Sequence, residues 1–349
     1  MSELLGPMLL TPILHEKVWG GDRLRKFGKA VAPGARVGES WEVADMAGTS
    51  ATGAGGGAAR SVIENGPLKG KTLHDAVVER AGEVLGRSTR AGDSGGGVAP
   101  AAFPLLVKFL DAREDLSVQV HPSPEYAAAH AGAHLKTECW YILDAAPGSR
   151  IYKGVKSGVT RSAFERALGA GGGAGVVELL ARVPAVVGEC HNLPSGTVHA
   201  LGGGVLVAEV QTPSDTTFRV HDWGRSGRAL HVQEALECIE FAAAPPATRG
   251  VRSSQEDWSR LVTTEFFTLD ECVLGEDGVG VGERGCVLMV VEGAGGIGGA
   301  ALVRGADPGD RIELATGRSV VVPAAAARAW RITGAGARVL RAWWGGWVE

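Results

Sequence analysis

The chain has 349 residues and a formal net charge of −4, from 35 Lys and Arg against 39 Asp and Glu. That balance lacks the basic excess a nucleic-acid partner demands. Hydrophobic residues make up 45% and charged residues 21%, enough for a sizeable core, and no apolar run is long enough to span a membrane as a helix.

Met1-Ser2-Glu3 opens onto no charged-then-apolar signal pattern. The five cysteines are scattered, with no CxxC pair. Reduced thiols in a cytoplasmic protein follow, and a disulfide framework or zinc ribbon is excluded. Glycine is the outlier at 53 residues, concentrated near 53–57, 95–97, 169–175, 202–204 and 293–299. None of these runs reads as a phosphate-cradling loop, so they are taken as surface-loop punctuation.

In chain order, Thr72-Leu73-His74-Asp75 predicts a capped helix start, with apolar spacing up to a stop at Gly86. Short apolar runs at 105–110, 116–120 and 140–143 predict strands. A helix is expected over 160–168, closed by Gly169, then strands at 183–187, 205–210 and 218–221. A third helix is expected over 230–239 (LHVQEALECI). Residues 241–250 (FAAAPPATRG) read as a linker, with a boundary near 245, and strands resume at 287–291 and 320–322. Many short strands between Gly/Pro turns predict a mainly β sandwich or barrel. The expected division is 1–245, with a small helical insertion near 72–90, and 246–349. The second unit has no histidine, the last being His231, so any imidazole or metal chemistry belongs upstream. Trp330, Trp343, Trp344 and Trp347 are read there as packing area.

Four stretches carry the candidate chemistry. In Leu116-Ser117-Val118-Gln119-Val120-His121-Pro122, strand alternation puts Gln119 and His121 on one face. In Lys136-Thr137-Glu138-Cys139-Trp140, Lys136 and Glu138 share a face. Leu193-Pro194-Ser195-Gly196-Thr197-Val198-His199 is a tight turn that delivers a histidine. Glu209-Val210-Gln211 is followed by Ser214-Asp215 and Thr217-Phe218-Arg219. Two imidazoles, a carboxylate and an amide oxygen make an N/O set suited to Zn²⁺ or another divalent first-row ion, with a position open for substrate. His15, His74, His130, His134, His191, His221 and His231 are read as ordinary core or surface residues.

Pro194-x-Gly196-x-x-His199 is the second cupin signature, and Gln119-x-His121 with Glu138 resembles the first in the altered form found in type I phosphomannose isomerases. The wider strings PLLVKFLDA, LSVQVHP, KTECWYI, LPSGTVHA and EVQTPSDTTFRVHDWGR follow in order over 104–225, with KVWGG and GESW nearer the N-terminus. The resemblance spans most of residues 10–245. Only about 60 residues separate Glu138 from His199, so it is to the compact bacterial form.

The resemblance implies a cupin (jelly-roll) catalytic domain and a second, degenerate cupin-like β-domain. It makes Gln119, His121, Glu138 and His199 the ligands of one zinc ion per chain. Lys136, Glu209 and Arg219 become catalytic candidates, and Ser117, Asp215 and Arg225 substrate-binding ones. It implies an aldose–ketose isomerase interconverting mannose 6-phosphate and fructose 6-phosphate through a cis-enediol(ate), with a small sugar phosphate as partner and a monomer or weak homodimer as assembly. Proton removal α to a carbonyl needs a positioned base and a stabiliser for the oxyanion, which suits Glu209 and Lys136, with Arg219 placed for the enediolate or the phosphate. A non-catalytic sugar- or sugar-phosphate-binding cupin is the alternative. Other metal cupins usually keep two histidines in the first motif, where this chain has Gln119.

Overall fold

The computed structural model describes residues 4–49, 57–88, 102–169, 171–250, 258–293, 299–305, 310–345 and 347–348. Most of the glycine runs at 53–57, 95–97 and 293–299 lies outside these residues.

Alternating apolar side chains build four larger sheets, stacked face to face. The seven-stranded sheet has the order Ala247–Thr248, Cys190–Leu193, Glu138–Ala145, Val205–Gln211, Leu106–Asp111, Val37–Val43 and Ile13–Gly21. Its inner face packs on a five-stranded sheet of order Leu180–Pro184, Arg150–Val155, His199–Leu201, Val118–Val120 and Phe218–His221. Between them Trp140, Ile142, Leu193 and Val207 meet Ile151 and Leu201. The outer face of the five-stranded sheet is closed by helices Arg161–Gly169 and Val232–Cys238, whose Phe164 and Leu236 pack with Val118, Val120 and Val220.

The other face of the seven-stranded sheet presents Phe109, Tyr141 and Val210 to Leu269, Met289 and Leu340 of a six-stranded sheet. That sheet's far face lays Leu288, Val320 and Val339 on Leu302, Leu314 and Ile332 of a four-stranded one. Among the described residues every strand pair is antiparallel, and the sheets are open rather than closed into barrels. This is the mainly β cupin architecture expected.

The helix Leu73–Leu85 starts where the sequence places it. Thr72 Oγ1 accepts from the Asp75 N–H at 3.1 Å, and the Asp75 carboxylate accepts from the Thr72 N–H at 2.8 Å. The helix expected from 230 begins instead at Val232, because His231 is tied back to the sheet: its N–H donates to the Arg219 carbonyl at 2.7 Å. The strand expected over 183–187 runs over Leu180–Pro184, and the chain turns at 186–189 through an N–H of Glu189 donated to the Val186 carbonyl. A short helix, Pro124–Ala129, was not expected; Ser123 caps it and Pro124 opens it.

The chain stretches on either side of the expected boundary are interleaved. Met8–Leu9 pairs with Ser319–Val322 in the six-stranded sheet, and Ala247–Thr248, inside the expected linker, is the edge of the seven-stranded one. Trp330 and Trp344 are buried packing residues, whereas the Trp347 side chain lies outside the described ones. All five cysteines are buried and unpaired. Among the described residues no helix is long and apolar enough to cross a membrane.

Candidate functional site

The site forms between the five- and seven-stranded sheets, where two cross-strand rows face each other. In the first, Lys153, His199, Gln119 and Arg219 are successive Cα partners across four strands. In the second, His191, Trp140, Glu209, Lys108 and Trp41 are successive partners across five. Directly opposed residues of a sheet share a face with their Cβ atoms about 4.5–5.5 Å apart, so each row presents its side chains to one interior.

The turn Pro194–Thr197 sets the His199 strand. Gly196 has φ +86°, and its N–H donates to the His121 carbonyl at 3.3 Å, tying the two histidine segments together. A Cβ there would sit 2.7 Å from Glu240 Cγ and 3.0 Å from the Cys238 carbonyl oxygen. Gly196→Ala is therefore expected to cost about 1–2 kcal/mol or more, read as a lower Tm together with weaker metal retention. An unchanged melting curve would remove the turn's strain from the account.

His121, Glu138 and His199 converge. Their ligand-capable atoms all lie within 4.8 Å of one another, and each residue is buried. The His121 Nδ1–H donates to the Thr216 carbonyl at 2.9 Å and the His199 Nδ1–H to the Thr197 carbonyl at 2.7 Å. A carbonyl can only accept, so both rings carry the proton on Nδ1 and turn their Nε2 lone pairs inward. Those Nε2 atoms stand 3.4 Å and 3.2 Å from the two Glu138 oxygens.

Glu138 Oε1 and His121 Nε2 have no hydrogen-bond partner, whereas Glu138 Oε2 is ion-paired with Lys136. Burial, reinforced by the Lys136 charge, lowers His121 to about 3, so the ring is neutral across the physiological range. Burial alone would raise the Glu138 carboxyl, but the Lys136 ammonium, with Nζ 2.7 Å away, holds it well below the usual carboxylate range. The buried, proton-free His121 Nε2 and Glu138 Oε1, without partners and beside His199, fit a divalent cation.

Gln119 places its carboxamide beside the cluster, with Nε2 3.4 Å from His199 Nε2 and Oε1 accepting from the Ser117 hydroxyl at 3.2 Å. Amide oxygen and nitrogen exchange by a flip, and a hydroxyl can donate or accept, so Ser117 accommodates either orientation.

Above the cluster opens a cleft of about 690 Å³. Of the residues expected at the site, Ser117, Gln119, Lys136, Glu209, Asp215 and Arg219 line it. Glu209 is held at both oxygens: Trp140 Nε1 donates to one at 2.8 Å, and Lys108 Nζ stands 3.1 Å from the other. Arg219 Nη1 donates to the Ala229 carbonyl at 2.9 Å, and its Nε is buried without a partner. Arg225 is turned elsewhere, onto Asp222 at 2.8 Å and the Asp115 carbonyl at 2.7 Å, and does not line the cleft.

Several cleft residues went unread in the sequence. Lys108 is one; its partners Glu209 and Glu39 keep its ammonium above the ordinary value although burial opposes this. A lone lysine inside the apolar strand LVKFLD was the available signal, since a buried charge demands a partner. Glu39 and Trp41 come from the GESW string and His15 from a strand with no clear alternation. The His15 ring lies 4.5 Å from that of Trp41, and its Nε2 is buried without a partner. Arg228 and His231 also line the cleft.

Residues 8–148 match the family description "Phosphomannose isomerase type I, catalytic domain". The chain is 36% identical over 270 residues to the mannose-6-phosphate isomerase of Streptococcus mutans, covering 75% of this chain and 77% of that protein. It is 37% identical over 272 residues to mannose-6-phosphate isomerase ManA of Bacillus subtilis, covering 76% of each. The crystal structure of the Bacillus subtilis mannose 6-phosphate isomerase superposes with a TM-score of 0.79 at 30% identity, over 97% of this chain and 99% of that one. The apo form from Salmonella typhimurium shares the fold, with a TM-score of 0.69 at 18% identity over 98% of this chain and 100% of that one. Identity of this extent, over most of each relative and on one fold, makes the chain a member of the type I phosphomannose isomerase family.

Proposed function

We propose that the chain interconverts mannose 6-phosphate and fructose 6-phosphate, with one zinc ion per chain held by Gln119, His121, Glu138 and His199. One observation carries the reading: the buried His121, Glu138 and His199 converge, with His121 Nε2 and one Glu138 oxygen lacking hydrogen-bond partners, beneath a cleft lined by Lys136, Glu209 and Arg219. A bound divalent cation supplies Lewis-acid stabilisation of negative charge at the sugar's O1/O2 edge.

The remaining work falls to side chains. Isomerisation moves a proton between C1 and C2 of the open-chain sugar through a cis-enediol(ate). Glu209 accepts and returns that proton, its carboxylate oriented by Trp140 and Lys108. Lys136, anchored on Glu138, donates hydrogen bonds to a sugar oxygen. Arg219, opposite Gln119 across the sheet, faces the oxygen on which charge develops. Ser117 and Asp215 meet sugar hydroxyls, and the apolar walls Trp41, Leu110 and Leu116 keep water from the intermediate.

The test is a coupled assay on mannose 6-phosphate with and without a chelator. Turnover lost on chelation and restored by zinc is the expected result. A metal-loaded chain that binds the sugar phosphate without turning it over would leave the non-catalytic sugar-phosphate-binding cupin instead.

A further inference from the structure

The cleft has charge on two sides, and the two sides differ. On the seven-stranded sheet, Lys17 lies 3.2 Å from Glu39, and Lys108 lies between Glu39 and Glu209. Each ammonium there faces a carboxylate. The opposite wall comes from the segment between Arg219 and His231, which carries three arginines and a single acid, Asp222.

That segment is tied at both ends. The His231 N–H donates to the Arg219 carbonyl, the Arg219 N–H donates to His231 Nδ1 at 3.3 Å, and Arg219 Nη1 reaches the Ala229 carbonyl. Its turn passes through Trp223 at φ +53°, an uncommon backbone conformation for a bulky residue. The Trp223 indole N–H holds it there by donating to the Leu116 carbonyl at 2.6 Å.

Asp222 is 4% exposed and accepts from two guanidinium groups. Arg225 donates to Oδ1 through Nε at 3.1 Å and Nη2 at 2.8 Å. Arg225 also reaches the Asp115 carbonyl and lies 3.8 Å from Glu114, so it braces the segment against the chain leading into Ser117. Arg228 donates to Oδ2 through Nε at 2.8 Å and to Oδ1 through Nη2. This two-point grip fixes the plane of the Arg228 guanidinium, and Arg228 lines the cleft. One edge is spent on Asp222, and Nη1 has no partner among the described residues.

We propose that Asp222 is a positioning residue: it locks Arg228 so that its open edge receives the substrate's phosphate, away from the reacting carbons. This rests on the function proposed above and goes further by naming the group that reads the phosphate and the acid that aims it. With three arginines and one acid the 219–231 segment is itself net positive, and Arg219 and Arg228 bring that charge to the cleft, whereas each lysine of the other side faces a carboxylate. A planar guanidinium pinned along one edge also suits two-point recognition of phosphate oxygens.

The experiment uses the whole zinc-loaded chain, with inorganic phosphate as probe, and Asp222→Asn, Arg228→Met and the double variant. Calorimetry gives the phosphate Kd, and steady-state kinetics give KM and kcat for mannose 6-phosphate. Losing one charge-assisted contact is worth about 10- to 100-fold. Each single variant is therefore expected to raise both Kd and KM by that factor while kcat holds within about 3-fold. The double variant should be no worse than Arg228→Met alone, because Asp222 acts through Arg228.

An unchanged phosphate Kd in Arg228→Met overturns the proposal, and that variant decides it if Asp222→Asn does not fold. Additive losses in the double variant overturn the positioning role, as does a fall in kcat with KM unchanged. A wild-type chain that binds phosphate through Arg228 yet lacks isomerase activity would count against the proposed reaction and leave this inference standing.

Discussion

Arg219→Ala is expected to lower kcat by about 10²–10³-fold, the usual cost of removing one preorganised donor at a developing oxyanion. KM should change little. The reason is the row in which Arg219 sits: it opposes Gln119, which opposes His199, so its guanidinium belongs to the metal end of the cleft. A contact made mainly in the transition state is lost from kcat, whereas one made equally in the ground state is lost from KM. Fold and zinc content should survive, since the bond lost is one side-chain donation to the Ala229 carbonyl and the backbone pairing with His231 remains. Near-normal kcat would rule out the transition-state role. A raised KM alone would move Arg219 to the phosphate, beside Arg228.

His199→Ala should be more severe. It removes the imidazole whose Nε2 lies 3.2 Å from Glu138, and with it one of the four side chains proposed to hold the metal. Stoichiometric zinc should be lost, and with it several kcal/mol of charge stabilisation, a fall of about 10³-fold or more in kcat. Metal analysis of the purified variant and the coupled assay, run beside a thermal melt, separate this from simple unfolding. Zinc retained at one per chain would take His199 out of the ligand set.

The local patterns that carried furthest are those whose physics is local. The Thr72–Asp75 capping box is satisfied within one turn of helix, so four residues announce the start of Leu73–Leu85. Strand alternation put Gln119 and His121 together, and Lys136 with Glu138; the Lys136–Glu138 pair closes to 2.7 Å. The Pro194–His199 turn needs a residue that tolerates positive φ, and Gly196 marks it. These are short-range steric and hydrogen-bonding requirements, and each leaves its trace in adjacent residues.

By itself, then, the sequence determined the class of fold, the family likeness and the polar residues of the motif strands, because each rests on contacts between near neighbours. Tertiary structure alone decided which of them meet. Lys108 reads as a stray charge in an apolar strand until the register aligns it with Glu209 and Trp41, residues far from it in the chain. His15 and Arg228 reach the cleft only because strands and a tied-back turn curve over it. Arg225, equally basic and three residues away, is drawn off by Asp222 and the Asp115 carbonyl. Even the division of the chain is blurred, since Met8–Leu9 completes a sheet built mainly from residues beyond 258. Long-range pairing of this kind is set by how whole faces of apolar side chains bury one another, a sum over many residues that no short string records.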